Sequence, residues 1–359
     1  MLPNQLKDRI FASLALAGMG DALGAPTEQW TIDEIRSTHG GLVTAFTAPT
    51  ADTFAGAQNG KYAEVTDDAS QMYFLARAMI AGHGPLDQEH WINCLLDWAQ
   101  HSPKAGFMGP STESMVKALL DGSDTAKVGV IGNSLRKMTT VGTTNGAAMR
   151  VAPAGMIFPG NIEAACQQAL ITCLPSHDTD VAISAACAIA AAVSKALVSG
   201  TLREVIAASL EGGKIGEQLA AQHARIVAGP HFLSRLEMAL QIADESTSDY
   251  AFMMKMEKLV GNSVLAAESV PAALGVVAYA NGDPMRTISI CASIGNDTDS
   301  IATMAGSIVG AMAGTAALPQ QLLAEFISAN AAEFDLDALA MGLADIAFKN
   351  VENEKHETR

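Results

Sequence analysis

The sequence predicts an all-α fold in a single domain. Helical patterning recurs along the chain, no run of alternating residues is long enough to force a sheet, and the apolar content is rich in alanine, which suits closely packed helices. The chain has 359 residues, of which 49% are hydrophobic and only 17% charged, a balance that excludes global disorder.

Taken in order, the first segment, 6–23, is an apolar helix. Lys7 and Arg9 before the run Ile10 to Gly20 imitate a signal peptide, but Asp8 interrupts the basic region and the run leads straight into a motif. Segment 67–81 follows Thr66, a residue type that caps helix starts, and 87–100 and 111–121 come next. Segments 161–173, 179–199, 201–222 and 231–244 are each bounded by Gly, Pro, Asn or Asp. Segments 268–281, 284–293, 300–315, 319–332 and 335–350 complete a domain over 1–350, with 351–359 read as an acidic, frayed tail. Two stretches lack helical periodicity. Residues 38–62, with Gly40, Gly41, Pro49, Gly56, Asn59 and Gly60, are too long for a simple connector and are a candidate lid. Residues 129–160 carry Thr143, Thr144, Asn145 and Gly146.

A formal charge of −16 argues against nonspecific nucleic-acid binding, which needs clustered Lys and Arg. Val181 to Val198 and Ile301 to Ala317 approach membrane-span length, but their Ala, Gly and Ser content marks buried core helices. Neither nucleic acid nor a membrane is expected as a partner. Cys94, Cys166, Cys173, Cys187 and Cys291 are odd in number and form no CxxC pair, so free thiols and a cytoplasmic setting are expected.

Two acidic clusters carry the chemistry. Thr66-Asp67-Asp68 opens one helix and Asp297-Thr298-Asp299-Ser300 opens another. Acids at a helix start are ordinary, because the first-turn N–H groups favour negative charge. Two such pairs with hydroxyl neighbours form an all-oxygen ligand set, which selects Mg²⁺, Mn²⁺ or Ca²⁺ over zinc. Gly306, Gly310 and Gly314 let a neighbouring helix approach the second turn closely. A rival cluster, His177-Asp178-Thr179-Asp180, reads either as ligands or as a cap with a hydrogen-bonded histidine; His177 is expected to contact substrate.

Together the motifs resemble those of the ADP-ribosylglycohydrolases. Gly20-Asp21-Ala22-Leu23-Gly24-Ala25-Pro26-Thr27-Glu28 resembles the family's N-terminal motif, Thr66-Asp67-Asp68 its T-D-D, Asn145-Gly146-Ala147-Ala148-Met149-Arg150 its N-G-A-A-M-R loop, and Asp297-Thr298-Asp299-Ser300 its D-T-D-[TS]. The resemblance implies an orthogonal helical bundle with two divalent cations, Mg²⁺ or Mn²⁺, held by Thr66, Asp67, Asp68, Asp297, Asp299 and Ser300. It further implies catalytic roles among Glu28, Asp67, Asp297 and Asp299, with Glu28 at the mouth as a gate or proton-handling group. Ala69 and Asn296 depart from the family pattern without removing a ligand oxygen; Asn296 is expected to narrow the cleft. The loop at Asn145 and Gly146 offers backbone N–H groups to a diphosphate, with Ser111 at a nearby helix start and Arg150 as the nearest cation. The implied activity is hydrolysis of the ribosyl bond in an ADP-ribosylated protein side chain or small molecule. The alternatives are a hydrolase of a smaller nucleoside-like riboside and a non-catalytic ADP-ribose-binding module. Four unprotonated carboxylates in one cleft argue against the latter.

Overall fold

The structure is a computed structural model and describes residues 3–198 and 200–357, with side chains of the last helix described as far as residue 353. The described residues form an all-helical protein without a β-strand; only isolated bridges occur. The first part holds α1 (Pro3–Gly24), α2 (Ile32–His39), α3 (Phe54–Ala57), α4 (Asp67–Ala81), α5 (Gln88–His101) and α6 (Pro110–Leu120). The middle holds α7 (Ala152–Met156), α8 (Ile162–Cys173), α9 (Asp180–Val198), α10 (Leu202–His223), α11 (Phe232–Glu245) and α12 (Asp249–Lys255), which runs into a π-turn at Met256–Val260. The last part holds α13 (Ala266–Tyr279), α14 (Pro284–Cys291), α15 (Thr298–Ala313), α16 (Gln320–Asn330) and α17 (Leu336–Glu357).

Every segment expected to be helical contains a helix. The helices the periodicity misses are short. In α2 a capping box joins Thr31 and Glu34, but only Ile32 and Ile35 are buried, too few to establish a period. Helix α17 continues through 351–357, most of the stretch read as a tail, while residues 358–359 lie outside the described residues.

A contiguous apolar cluster runs from Leu6 to Ala347. At its centre α1 and α15 lie unusually close. A Cβ on Gly24 would sit 2.6 Å from the Thr298 carbonyl, one on Gly20 would sit 2.6 Å from that of Ala302, and one on Gly306 would sit 2.5 Å from that of Leu16. As α1 is followed backwards α15 advances, so the helices run antiparallel with backbone against backbone. Gly314 differs from these: it ends α15 with φ of 73°, and a Cβ there would meet the Asp8 side chain of α1 rather than its backbone. The apolar windows of Pro3–Thr27 and Asp180–Val198 are long enough to cross a membrane, yet 94% and 89% of them are buried. Both helices turn their apolar surface to protein neighbours.

Candidate active site

The close α1–α15 contact delivers two motifs to one place. Asp21, fully buried near the end of α1, accepts hydrogen bonds from the backbone N–H groups of Thr66 (3.0 Å) and Ala69 (3.0 Å), and so caps the start of α4 from outside. Thr66 Oγ1 accepts from Asp68 N at 3.4 Å and donates to Asp68 Oδ2 at 3.2 Å. After α1 the chain turns back at Gln29, whose N–H donates to Asn296 O (2.6 Å), while Asn296 N–H donates to Trp30 O (2.9 Å). This two-way clasp fixes Glu28 against the Asp297 turn. Asn296 has φ of 59°, a left-handed conformation that asparagine tolerates better than most residues; it serves the turn and does not line the cleft.

These elements enclose a cavity of about 240 Å³. Glu28, Asp67, Asp68, Asp297, Asp299 and Ser300 form one wall. One carboxylate oxygen each from Glu28, Asp297 and Asp299 lies within 4.8 Å of the others. Ser300 joins the acidic turn through its backbone N–H, which donates to Asp299 Oδ1 at 2.9 Å, and its hydroxyl lowers the carboxyls of both Asp68 and Asp297. Asn145 adjoins these acids and donates its Nδ2 to Asp297 Oδ2 and to Ser269 Oγ. The outer rim is apolar: Phe54 meets Phe107 edge to face, ring centroids 6.5 Å apart. Phe54 sits on α3, so the 38–62 segment forms part of the cavity wall.

Among the described residues, no Lys, Arg or His lines this cavity. The electrostatic consequence is large. Burial, then repulsion from Asp297, Asp68 and Asp21, pushes Glu28 up to about 9. Burial and Asp68 raise Asp21 to about 8 and Asp297 to about 7. Burial lifts Asp68 to about 6, and Asp67 and Asp299 stand well above the ordinary range, from burial and then from the neighbouring acids. Glu28 Oε2 and Asp68 Oδ1 are buried and accept no hydrogen bond. Once ionised, a carboxylate cluster with orphaned oxygens and no basic partner has the ligand set of a hard-cation site.

Three residues expected to contact substrate lie behind the walls. Arg150 is fully buried; its Nη1 donates to Gln71 Oε1 (2.6 Å), its Nη2 donates to Ser176 Oγ (3.0 Å), and its guanidinium lies over Trp91. It therefore cannot reach a bound diphosphate as drawn from the sequence. His177 is likewise fully buried, between Ser176 and Thr144. Ser111 uses its hydroxyl to accept from Gly142 N at 3.2 Å. Thr66 also stands behind the cavity surface, shaping Asp68, whereas Asn145 and Gly146 do line it. Conversely, sequence reasoning gave Asp21, Gln71 and Thr144 no role in the site. For Asp21 a signal existed, since a carboxylate inside an otherwise apolar helix must have a buried partner.

The comparisons agree with this geometry. A 31% identity extends over 338 residues, 93% of this chain and 96% of the relative, to uncharacterized protein YegU of Escherichia coli (strain K12). A 28% identity covers 82% of this chain and 84% of an uncharacterized protein of Archaeoglobus fulgidus. A solved ADP-ribosylglycohydrolase-related protein complex shares the fold, with a TM-score of 0.64 at 20% identity over 96% of this chain and 100% of that one. Residues 2–353 match the family ADP-ribosylglycohydrolase. With that match spanning nearly the whole chain and all four motifs meeting around one cavity, the protein belongs to the ADP-ribosylglycohydrolase family.

Proposed function

We propose that this protein is a metal-dependent glycohydrolase that cleaves the ribosyl bond of an ADP-ribosylated protein side chain or small molecule. The observation that carries the reading is the gathering of Glu28, Asp67, Asp68, Asp297 and Asp299 on one cavity without a cationic side chain to discharge them. Asp67, Asp68, Asp297, Asp299 and Ser300 would hold two divalent cations, Mg²⁺ or Mn²⁺, with Thr66 orienting Asp68. Bound there, the cations supply Lewis acidity to ribosyl hydroxyls and to water.

The remaining steps belong to the protein. One aspartate, Asp297 or Asp299, orients the attacking water and takes up its one proton as its oxygen bonds to the anomeric carbon. Glu28, whose carboxyl is raised by burial and then by the neighbouring acids in the cation-free protein, is the group that hands a proton to the departing nitrogen or oxygen as the bond to the anomeric carbon breaks. Asn145 holds Asp297 in register. Phe54 and Phe107 exclude water from the rim. A cytoplasmic setting is part of the same reading, supported by five free thiols.

One observation favours a second substrate reading. With Arg150 buried and, among the described residues, no cationic side chain on the cavity wall, a diphosphate would depend on uncharged donors alone, and an uncharged nucleoside-like riboside would suit the cavity better. A release assay on ADP-ribosyl-arginine, ADP-ribosyl-serine, O-acetyl-ADP-ribose and plain ribosides, with and without Mn²⁺, decides between them. Metal-dependent release from an ADP-ribosyl compound supports the proposal. Hydrolysis of a plain riboside, with no inhibition by millimolar ADP-ribose, establishes the second reading in its place.

A further inference from the structure

Behind the cavity, one buried cation reaches both walls. Arg150 has no carboxylate partner of its own among the ion pairs of the described residues, an arrangement that is costly unless its donors are well used. A guanidinium can only donate. Gln71 must therefore turn Oε1 toward Arg150, which leaves its Nε2 to donate to Asp67 Oδ2 at 3.0 Å. The same logic runs the other way. Ser176 Oγ accepts from Arg150 with one lone pair, and its other neighbour among the described residues is His177 Nδ1 at 2.8 Å; the buried serine proton needs an acceptor, and Nδ1 is the one within reach. The imidazole, kept neutral by burial and then by Arg150, carries its proton on Nε2 and donates it to Thr144 Oγ1 at 3.0 Å. Thr144 lines the cavity, and its own hydroxyl proton has no acceptor among the described residues.

We infer that this network, in which Arg150 fixes the orientation of Gln71 and occupies one lone pair of Ser176, presents Thr144 Oγ1 as a hydrogen-bond donor to an acceptor oxygen of the ligand in the cavity. Arg150, Gln71, Ser176 and His177 are positioning residues and Thr144 is the specificity contact. The inference rests on the proposed ribosyl-binding reading for what Thr144 meets, while the proton order rests on the hydrogen-bond network and on the need of the buried Ser176 proton for an acceptor.

The test has two arms on the full chain. Nitrogen-15 NMR of His177 reads the tautomer directly: Nε2 protonated is expected, and an Nδ1-protonated ring overturns the inference. Calorimetry with Mn²⁺, then with ADP-ribose and with ribose, reads the contact. Thr144→Val is expected to weaken the ribosyl ligand about tenfold, the size of one lost hydrogen bond, with Mn²⁺ affinity unchanged. Thr144→Ser, which keeps the hydroxyl, is expected to stay within about twofold of the parent by the same measure. Equal ligand affinity in Thr144→Val and the parent overturns the contact. If neither ADP-ribose nor ribose binds the parent protein, the functional proposal fails, and the inference is then decided by the tautomer.

Discussion

Two helix starts in this protein look alike in sequence and do opposite work. Helix α9 follows His177-Asp178-Thr179-Asp180, and α15 begins within Asp297-Thr298-Asp299-Ser300. At α9, Asp178 meets Arg225 at 2.7 Å and Lys137 at 3.3 Å, and Asp180 Oδ1 accepts from Val227 N at 3.1 Å. Burial pushes Asp178 up, but these partners outweigh it and hold it below the ordinary carboxylate value. Among the described residues no such partner meets the acids of α15 and α4, which are pushed upward instead. The same residue types at the same local position are structural where the fold supplies a countercharge, and available to a ligand where it withholds one.

The largest expected effect follows directly. Asp67→Ala or Asp299→Ala should lower turnover by at least about a thousandfold, the scale seen when a group acting in the transition state is removed, while circular dichroism stays unchanged. Turnover within tenfold of the parent would dissolve the distinction between the two helix starts.

A smaller pair of effects should have opposite signs. Asp178→Ala leaves Arg225 without its carboxylate and is expected to cost roughly 1–3 kcal/mol of stability, less than a fully buried pair because both side chains are partly exposed. Asp68→Asn in cation-free protein removes a repelling charge and is expected to be neutral or stabilising. Chemical denaturation of both variants checks this, and equal losses would contradict it.

The two regions should also answer pH differently. Acids raised in the folded state bind protons that the unfolded chain releases. Their contribution is complete below about pH 4, the ordinary carboxylate range, and is lost as pH rises through the folded values. Those values are about 6 for Asp68, 7 for Asp297, 8 for Asp21 and 9 for Glu28. Cation-free protein should therefore lose thermal stability from about pH 4 to about pH 9, and saturating Mn²⁺ should flatten that slope. Asp178, whose pKa is lowered, contributes in the other direction: its share is present above its ordinary value and lost on acidification. A melting temperature that climbs with pH across this window in cation-free protein would refute the assignment.

The smallest effect concerns residues 38–62. Phe54 reaches the cavity rim from this segment, and a ligand there should slow hydrogen exchange locally, by a few-fold. Unchanged exchange throughout 38–62 would make the segment a fixed wall.

Much of this was legible in advance, for reasons that differ by residue. Helix α4 falls on Asp67–Ala81 as its pattern indicates, because a capping threonine and a long apolar period act locally. The four acids that line the cavity were legible because they come as close pairs at helix starts. Arg150 was misplaced because burial cannot be read from a motif: the residue that looks like a phosphate ligand sits over Trp91 and holds Gln71. The distinction between Asp178 and Asp297 was out of reach for the same reason. Arg225 lies 47 residues from Asp178, and only the fold brings them together.

The central claim is that the uncompensated acids await cations. Titration calorimetry of cation-free protein with Mn²⁺, repeated in buffers of different ionisation enthalpy near pH 7, tests it most directly. The account predicts two Mn²⁺ bound per chain with release of protons, because carboxyls held protonated by burial must ionise to become ligands. Absence of Mn²⁺ binding, or binding of equal strength in Asp67→Ala and Asp299→Ala, would contradict it.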